Sequence, residues 1–211
     1  MNPRPLRNVD VFSDAGRLEA VYREMIDPLG VAVICHPHPL HGGTLHNKVV
    51  FRASRGLEAA DVATLRFNFR GVGTSQGRHD DGEGEQRDFE AALRWIRSRH
   101  PGKKILAGGF SFGAWVASRV ACQLPEVDAV FLIGAPIDNY DLLYLSRCRK
   151  PKLLIHGSRD EHGDPEKLAR YVEQWSECEM VLVEGADHFF ANQLEVVEES
   201  MRSWALSTLD G

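Results

Sequence analysis

Cysteine is sparse in this chain: Cys35, Cys122, Cys148 and Cys178 are scattered through 211 residues, with no C-x-x-C pair among them. Without paired spacing they read as reduced, buried or half-buried thiols, as expected of a cytoplasmic protein. Positive charge is also short. Lysine and arginine number 25 against 30 acidic residues, the formal net charge is -5 and the pI is near 6.0. That balance lacks the basic excess of nucleic-acid binders, so no nucleic-acid partner is expected. No stretch is long and apolar enough to span a bilayer. No apolar N-terminal run marks a signal peptide or anchor, so no membrane partner is expected. Internal repeats, low-complexity tracts and linkers are missing too. What remains is 211 residues at 43% hydrophobic, enough to bury a good core in a single domain spanning 1–211.

The elements alternate. The segment up to about residue 24 is mixed, with strand-like alternation at 18–22 that would pair at a sheet edge. Val31-Ala32-Val33-Ile34-Cys35 is a continuous apolar run, as a strand covered on both faces requires. Apolar positions at helical spacing predict a helix over 47–60, and 62–67 is a second inner strand leading into a glycine-rich loop, 68–77. Phe89, Leu93 and Ile96 form one stripe of a helix over 85–99 that Pro101-Gly102 closes. Further strands are expected at 104–108, 127–133, 152–156 and 180–183, and further helices at 114–121, from the Asp164-Pro165 cap to about 175, and at 193–206. The fold class this implies is α/β: a doubly wound, mostly parallel sheet with helices on both faces. Ligands of such sheets bind beyond the carboxyl ends of the strands.

One of those ends carries Gly109-Phe110-Ser111-Phe112-Gly113, a G-x-S-x-G pentapeptide between a predicted strand and a predicted helix. A serine on such a turn is a nucleophile elbow, held out over the sheet with the N-terminus of a helix behind it. A serine hydroxyl needs a histidine to take its proton and a carboxylate to orient that histidine. His188 follows the last predicted strand, and Asp160 follows the one before it. The chain order Ser111, Asp160, His188 is that of a nucleophile, acid and base spread over three strand ends. Glu161 is the second choice for the acid, Asp138 an outside one. Asp164 reads as a helix cap, Asp187 as a turn former, and His162 shares its loop with Asp160, which makes it a poor base.

Acyl transfer also needs donors for the oxyanion, commonly two backbone N–H groups. The amide of Phe112 is the first. The second should come from the loop His36-Pro37-His38-Pro39-Leu40-His41-Gly42-Gly43. Pro37 and Pro39 have no N–H to give, which leaves His38, with Leu40 behind it. Leu40 and Phe189 are candidates for the substrate pocket. Phe112 and Phe190 flank it as well, Phe190 with an equal claim on the core. His36, His38, His41 and His46 cluster in this span, but Pro-interleaved histidines lack the usual zinc spacing, so no metal and no cofactor are expected. Arg70 invites an anion-binding role; the alternative, which we favour, is that Arg70 and Asn68 pin the glycine-rich loop through bonds to backbone.

These motifs together resemble the α/β-hydrolase superfamily, and within it small, capless bacterial hydrolases. In those, an HPHP-x-x-GGT loop is followed by N-K-V-V, here 36–44 and 47–50. The N-F-R-G-x-G-x-S-x-G segment at 68–77 and the ending G-A-D-H-F-F at 185–190 are similar too. Leu45 departs from the methionine common at that position, a packing change. The resemblance covers about 31–190 and implies an eight-stranded type of sheet, a Ser-His-Asp triad and no cap domain. It also implies a serine esterase or thioesterase acting on a small-molecule ester or thioester through an acyl-enzyme on Ser111. An exopeptidase or amidase on the same triad, and a non-catalytic binding module on a hydrolase scaffold, are the alternatives. An exposed edge strand or helix leaves a homodimer open.

Overall fold

The computed structural model describes residues 5–210; positions 1–4 and 211 of the expected domain lie outside them. Eight strands form one sheet: β1 (Leu6–Ser13), β2 (Gly16–Arg23), β3 (Gly30–Cys35), β4 (Val62–Phe67), β5 (Lys104–Phe110), β6 (Ala129–Ile133), β7 (Lys152–Gly157) and β8 (Cys178–Val183). Their spatial order is β1-β2-β4-β3-β5-β6-β7-β8, antiparallel at β1/β2 and β2/β4 and parallel from β4 to β8. Five helices surround it: α1 (Lys48–Ala59), α2 (Glu83–Arg99), α3 (Phe112–Ala121), α4 (Pro165–Val172) and α5 (Leu194–Leu209).

The run at 31–35 is apolar throughout because β3 lies in the middle of the sheet with a core on each side. Val31, Val33 and Cys35 face a core shared with α2 and α3, whereas Ala32 and Ile34 face one shared with α1 and α5. Alternation along a strand sends neighbours to opposite faces, so a centrally placed strand must be apolar at every position. On the outside of the sheet, α5 buries Val197, Met201, Trp204 and Ala205, a spacing of one helical face.

Three expectations need correction. The strand at 18–22 does not lie at the edge: β2 is sandwiched between β4 and a further strand, β1, which now forms that edge. β1 shows apolar alternation only at Val9 and Val11, of which Val11 is buried and Val9 partly so. It is held by pairing with β2 in register from Leu6↔Arg23 to Ser13↔Gly16, across a two-residue turn. α4 ends at Val172 rather than near 175. Finally, Cys122 and Cys148, expected as separate thiols, are joined in a disulfide with Cα atoms 5.3 Å apart. Cys122 caps the C-terminus of α3, and Cys148 ends the short 3-10 turn Leu143–Arg147 that packs against it. Their 26-residue separation hides this packing from the sequence. Cys35 and Cys178 are free. No described helix is long and apolar enough to cross a membrane.

Candidate active site

The elbow forms where β5 ends and α3 begins. Ser111 is the N-cap of α3 and adopts φ 55, ψ -123, a region that non-glycine residues rarely occupy. The strain therefore sits on the serine itself. The flanking glycines serve a different need: a Cβ on Gly109 would lie 2.6 Å from the carbonyl oxygen of Cys35, and one on Gly113 would overlap the carbonyl oxygen of His36. The elbow is thus packed hard against the end of β3.

Three strand ends meet over it. His188, on the loop after β8, directs Nε2 to the Ser111 hydroxyl at 3.0 Å. Its Nδ1 lies 2.9 and 2.8 Å from the two carboxylate oxygens of Asp160, on the loop after β7. A proton kept on Nδ1, where it donates a hydrogen bond to the ionised carboxylate, leaves Nε2 unprotonated and ready to accept from the hydroxyl. His188 and Asp160 are buried, while Ser111 is partly open to solvent. Burial pushes the Asp160 carboxyl up. The hydrogen bond and charge of His188, the charge of His156 and the amide of His162 outweigh that and hold it below the usual carboxylate range. Asp160 is therefore an anion wherever the protein is folded near neutrality.

The neighbouring acids are occupied elsewhere. Asp164 caps α4 by accepting from the amides of Glu166 and Lys167, and Asp187 accepts from those of Phe189 and Ala191. Asp138 pairs with Lys167 Nζ at 2.7 Å, and the Glu161 side chain is exposed. The sequence undervalued His162. Its amide donates to Asp160 at 2.8 Å, and its ring stands edge-on to His188 with centroids 4.5 Å apart. A place on the Asp160 loop was the signal that it would reach the site.

Two amides of residues lining the same cleft as the serine have no acceptor among the described residues: Phe112, the first residue of α3, and His38. The amide of Leu40 donates instead to Nδ1 of His38 at 3.2 Å. Leu40 is 69% exposed and lines neither of the clefts beside Ser111, contrary to the pocket role expected for it. Phe189, half exposed, lines the smaller one, and Phe190 belongs to the core.

His36 fixes this loop. Its Nε2 accepts from the amide of Phe69 at 3.0 Å, so its proton sits on Nδ1, which donates to the carbonyl of Pro37 at 2.6 Å. The Pro37 carbonyl and the His38 N–H are opposite ends of one planar peptide, so holding the first aims the second. Burial drives the His36 pKa down to about 4, against the opposing pull of the Pro37 carbonyl. With both ring nitrogens bonded to backbone, His36 has no lone pair to offer a metal.

The glycine-rich loop is pinned as favoured, though by different bonds. Asn68 accepts from the amide of Leu45 at 2.8 Å and donates to Glu19. Arg70 binds carboxylates rather than backbone: Asp88 at 2.8 Å, buried, and Asp14 at 2.6 Å. Its Nε and Nη2 groups are held by these two carboxylates.

Two adjoining clefts open at Ser111 and share His38, His41 and His162 in their linings. One, of about 600 Å³, runs between Phe112, Tyr140, Asn139 and His162; the other, about 160 Å³, is bounded by Gly42, Gly43, Asn47, His188 and Phe189.

A parallel sheet with an elbow serine facing a histidine and a carboxylate defines an α/β hydrolase, and the chain belongs to that family. The alpha/beta hydrolase domain model matches residues 36–206. An uncharacterized protein of Rickettsia prowazekii is 34% identical over 203 residues, 91% of this chain and 85% of its own. Among solved structures, an alpha-beta serine hydrolase homologue from Coxiella burnetii superposes with TM-score 0.87 at 36% identity, covering 93% of this chain and 96% of its own. A serine hydrolase without lid from Xanthomonas campestris gives TM-score 0.86 at 31% identity over 96% and 94%.

Proposed function

We propose that the chain is a serine hydrolase that cleaves small carboxylic esters or thioesters through an acyl-enzyme on Ser111. The observation that carries this reading is the unbroken path of contacts from the Ser111 hydroxyl through both nitrogens of His188 to Asp160, at 3.0 and 2.8–2.9 Å. Three separate loops contribute to it, a convergence that packing alone does not require.

His188 Nε2 takes the hydroxyl proton as Ser111 Oγ bonds to the carbonyl carbon. The carbonyl π electrons move to oxygen, where the amides of Phe112 and His38 stabilise the negative charge. His188, now a cation beside ionised Asp160, returns the proton to the leaving alcohol or thiol as its bond to carbon breaks. Water, deprotonated by the same nitrogen, then attacks the acyl carbon, and His188 returns that proton to Ser111 Oγ as its bond to carbon breaks, freeing the acid and the serine.

An exopeptidase would need a carboxylate free to hold a substrate amine, and Asp138 on the cleft wall is already paired with Lys167. A non-catalytic module would have no use for a serine held at φ 55. Turnover of short-chain p-nitrophenyl esters tests the proposal. The Ser111→Ala protein is expected to lose about 10⁶-fold in kcat, as serine triads do when the nucleophile is removed. Hydrolysis by Ser111→Ala at the wild-type rate overturns it.

A further inference from the structure

We infer that the two clefts divide the substrate unequally: the large one takes the acyl group, which is an uncharged, hydroxyl-bearing aryl group, and the small one takes a small alcohol. The inference rests on the hydrolase reading above and adds direction and chemistry to it.

Direction follows from proton delivery. The leaving oxygen must receive its proton from His188 Nε2, so it departs into space that His188 lines. His188 borders the smaller cleft and not the larger. The acyl carbon, bonded to Ser111 Oγ with its oxyanion toward Phe112 and His38, therefore extends its remaining substituent into the larger cleft. The departing group has about 160 Å³ beside Gly42 and Gly43, against about 600 Å³ for the acyl group.

Chemistry follows from the walls. No leucine, isoleucine, valine or methionine lines the large cleft, and neither does lysine or arginine. A fatty chain would find only the Pro136 ring as aliphatic contact there, and a carboxylate-bearing acyl group no lysine or arginine; His38, His41 and His162 complete the lining. The wall offers aromatic faces instead. Tyr140 stacks on Trp115 with centroids 4.4 Å apart and meets Phe112 edge-on at 5.9 Å, which makes a rigid shelf. Its hydroxyl and the side-chain amide of neighbouring Asn139 make no hydrogen bond within the described residues. Both are open to a substrate hydroxyl. Asp138 is neutralised by Lys167, so the wall carries little net charge toward the ligand.

The test uses a pair of isomers that exchange acyl and alcohol sides: methyl para-hydroxyphenylpropanoate and para-hydroxyphenylethyl acetate. The two have nearly equal carbonyl reactivity and alkanol leaving groups, so only the side taken by the ring differs. The wild-type protein is expected to favour the first in kcat/KM by at least about tenfold, the scale on which pocket fit discriminates. Methyl nonanoate is expected to fall behind it by a similar factor. Tyr140→Ala is expected to bring the isomer ratio toward one. Turnover of both isomers with a ratio at or below one, or preference for the nonanoate, overturns the division of the clefts while leaving the hydrolase reading in place. No turnover of any ester, together with no phosphonate adduct at Ser111, overturns both.

Discussion

The loop after β3 and the loop after β8 each bury a histidine, and the two rings do opposite things. His36 is fully enclosed and gives both nitrogens to backbone, one to the Pro37 carbonyl and one from the Phe69 amide. His188 is enclosed almost as well, yet gives both nitrogens to side chains, a carboxylate and a hydroxyl. Backbone partners fix a ring's tautomer permanently and turn the histidine into a brace. An ionised side chain on one nitrogen and a transferable proton on the other make it a base. Burial does not separate the two cases; the identity of the partners does. Each loop then supplies a different need of the proposed chemistry, proton transfer from one and an aimed amide from the other.

The largest way to break this contrast is to neutralise the partner of His188. Asp160→Asn keeps the shape but removes the charge and offers the wrong hydrogen-bond pattern to Nδ1. Ester hydrolysis is expected to fall by about 10⁴-fold in kcat, with the fold retained. Rates measured beside a circular dichroism spectrum check it; a loss below tenfold would mean that His188 does not depend on Asp160.

Acid should find the brace. The folded His36 has a pKa of about 4, depressed by burial from the ordinary 6.5 of a histidine. Between those values the unfolded chain binds a proton that the folded chain refuses, so stability falls as pH drops through that window. The loss amounts to about 3 kcal/mol from this ring. Buried His156, also depressed chiefly by desolvation, adds in the same direction. Urea unfolding at stepped pH should show the decline, and His36→Gln should flatten it.

The smallest effect sharpens the aiming role. His36→Phe fills the space but leaves the Pro37 carbonyl and Phe69 amide unpaired, and the His38 amide loses its constraint. A drop of about 10- to 100-fold in kcat with little change in KM is expected, below the loss of a whole oxyanion donor. His36→Gln, which can serve both backbone groups, should recover part of it. An unchanged kcat in His36→Phe would detach the brace from catalysis.

How much of this was legible depended on whether the signal was local. Ser111, Asp160 and His188 each follow a strand, and a parallel sheet carries such positions to one rim; their meeting was readable without coordinates. The inner strands were readable because two cores make them apolar throughout. β1 was not, since pairing with β2 rather than burial holds it. The Cys122–Cys148 bridge, the Arg70 carboxylate partners and the bond from Phe69 to His36 all depend on contacts between segments distant in sequence. From the sequence, His36 was one of a histidine cluster without zinc spacing; the backbone groups around it are what decide its part.

The most direct test of the account is covalent labelling with a fluorophosphonate, located by peptide mass spectrometry in the wild-type, Ser111→Ala and His188→Ala proteins. One adduct is expected, on Ser111, absent in the first variant and formed far more slowly in the second. An intact protein that takes no label at Ser111, or one that His188→Ala labels at the wild-type rate, would contradict it.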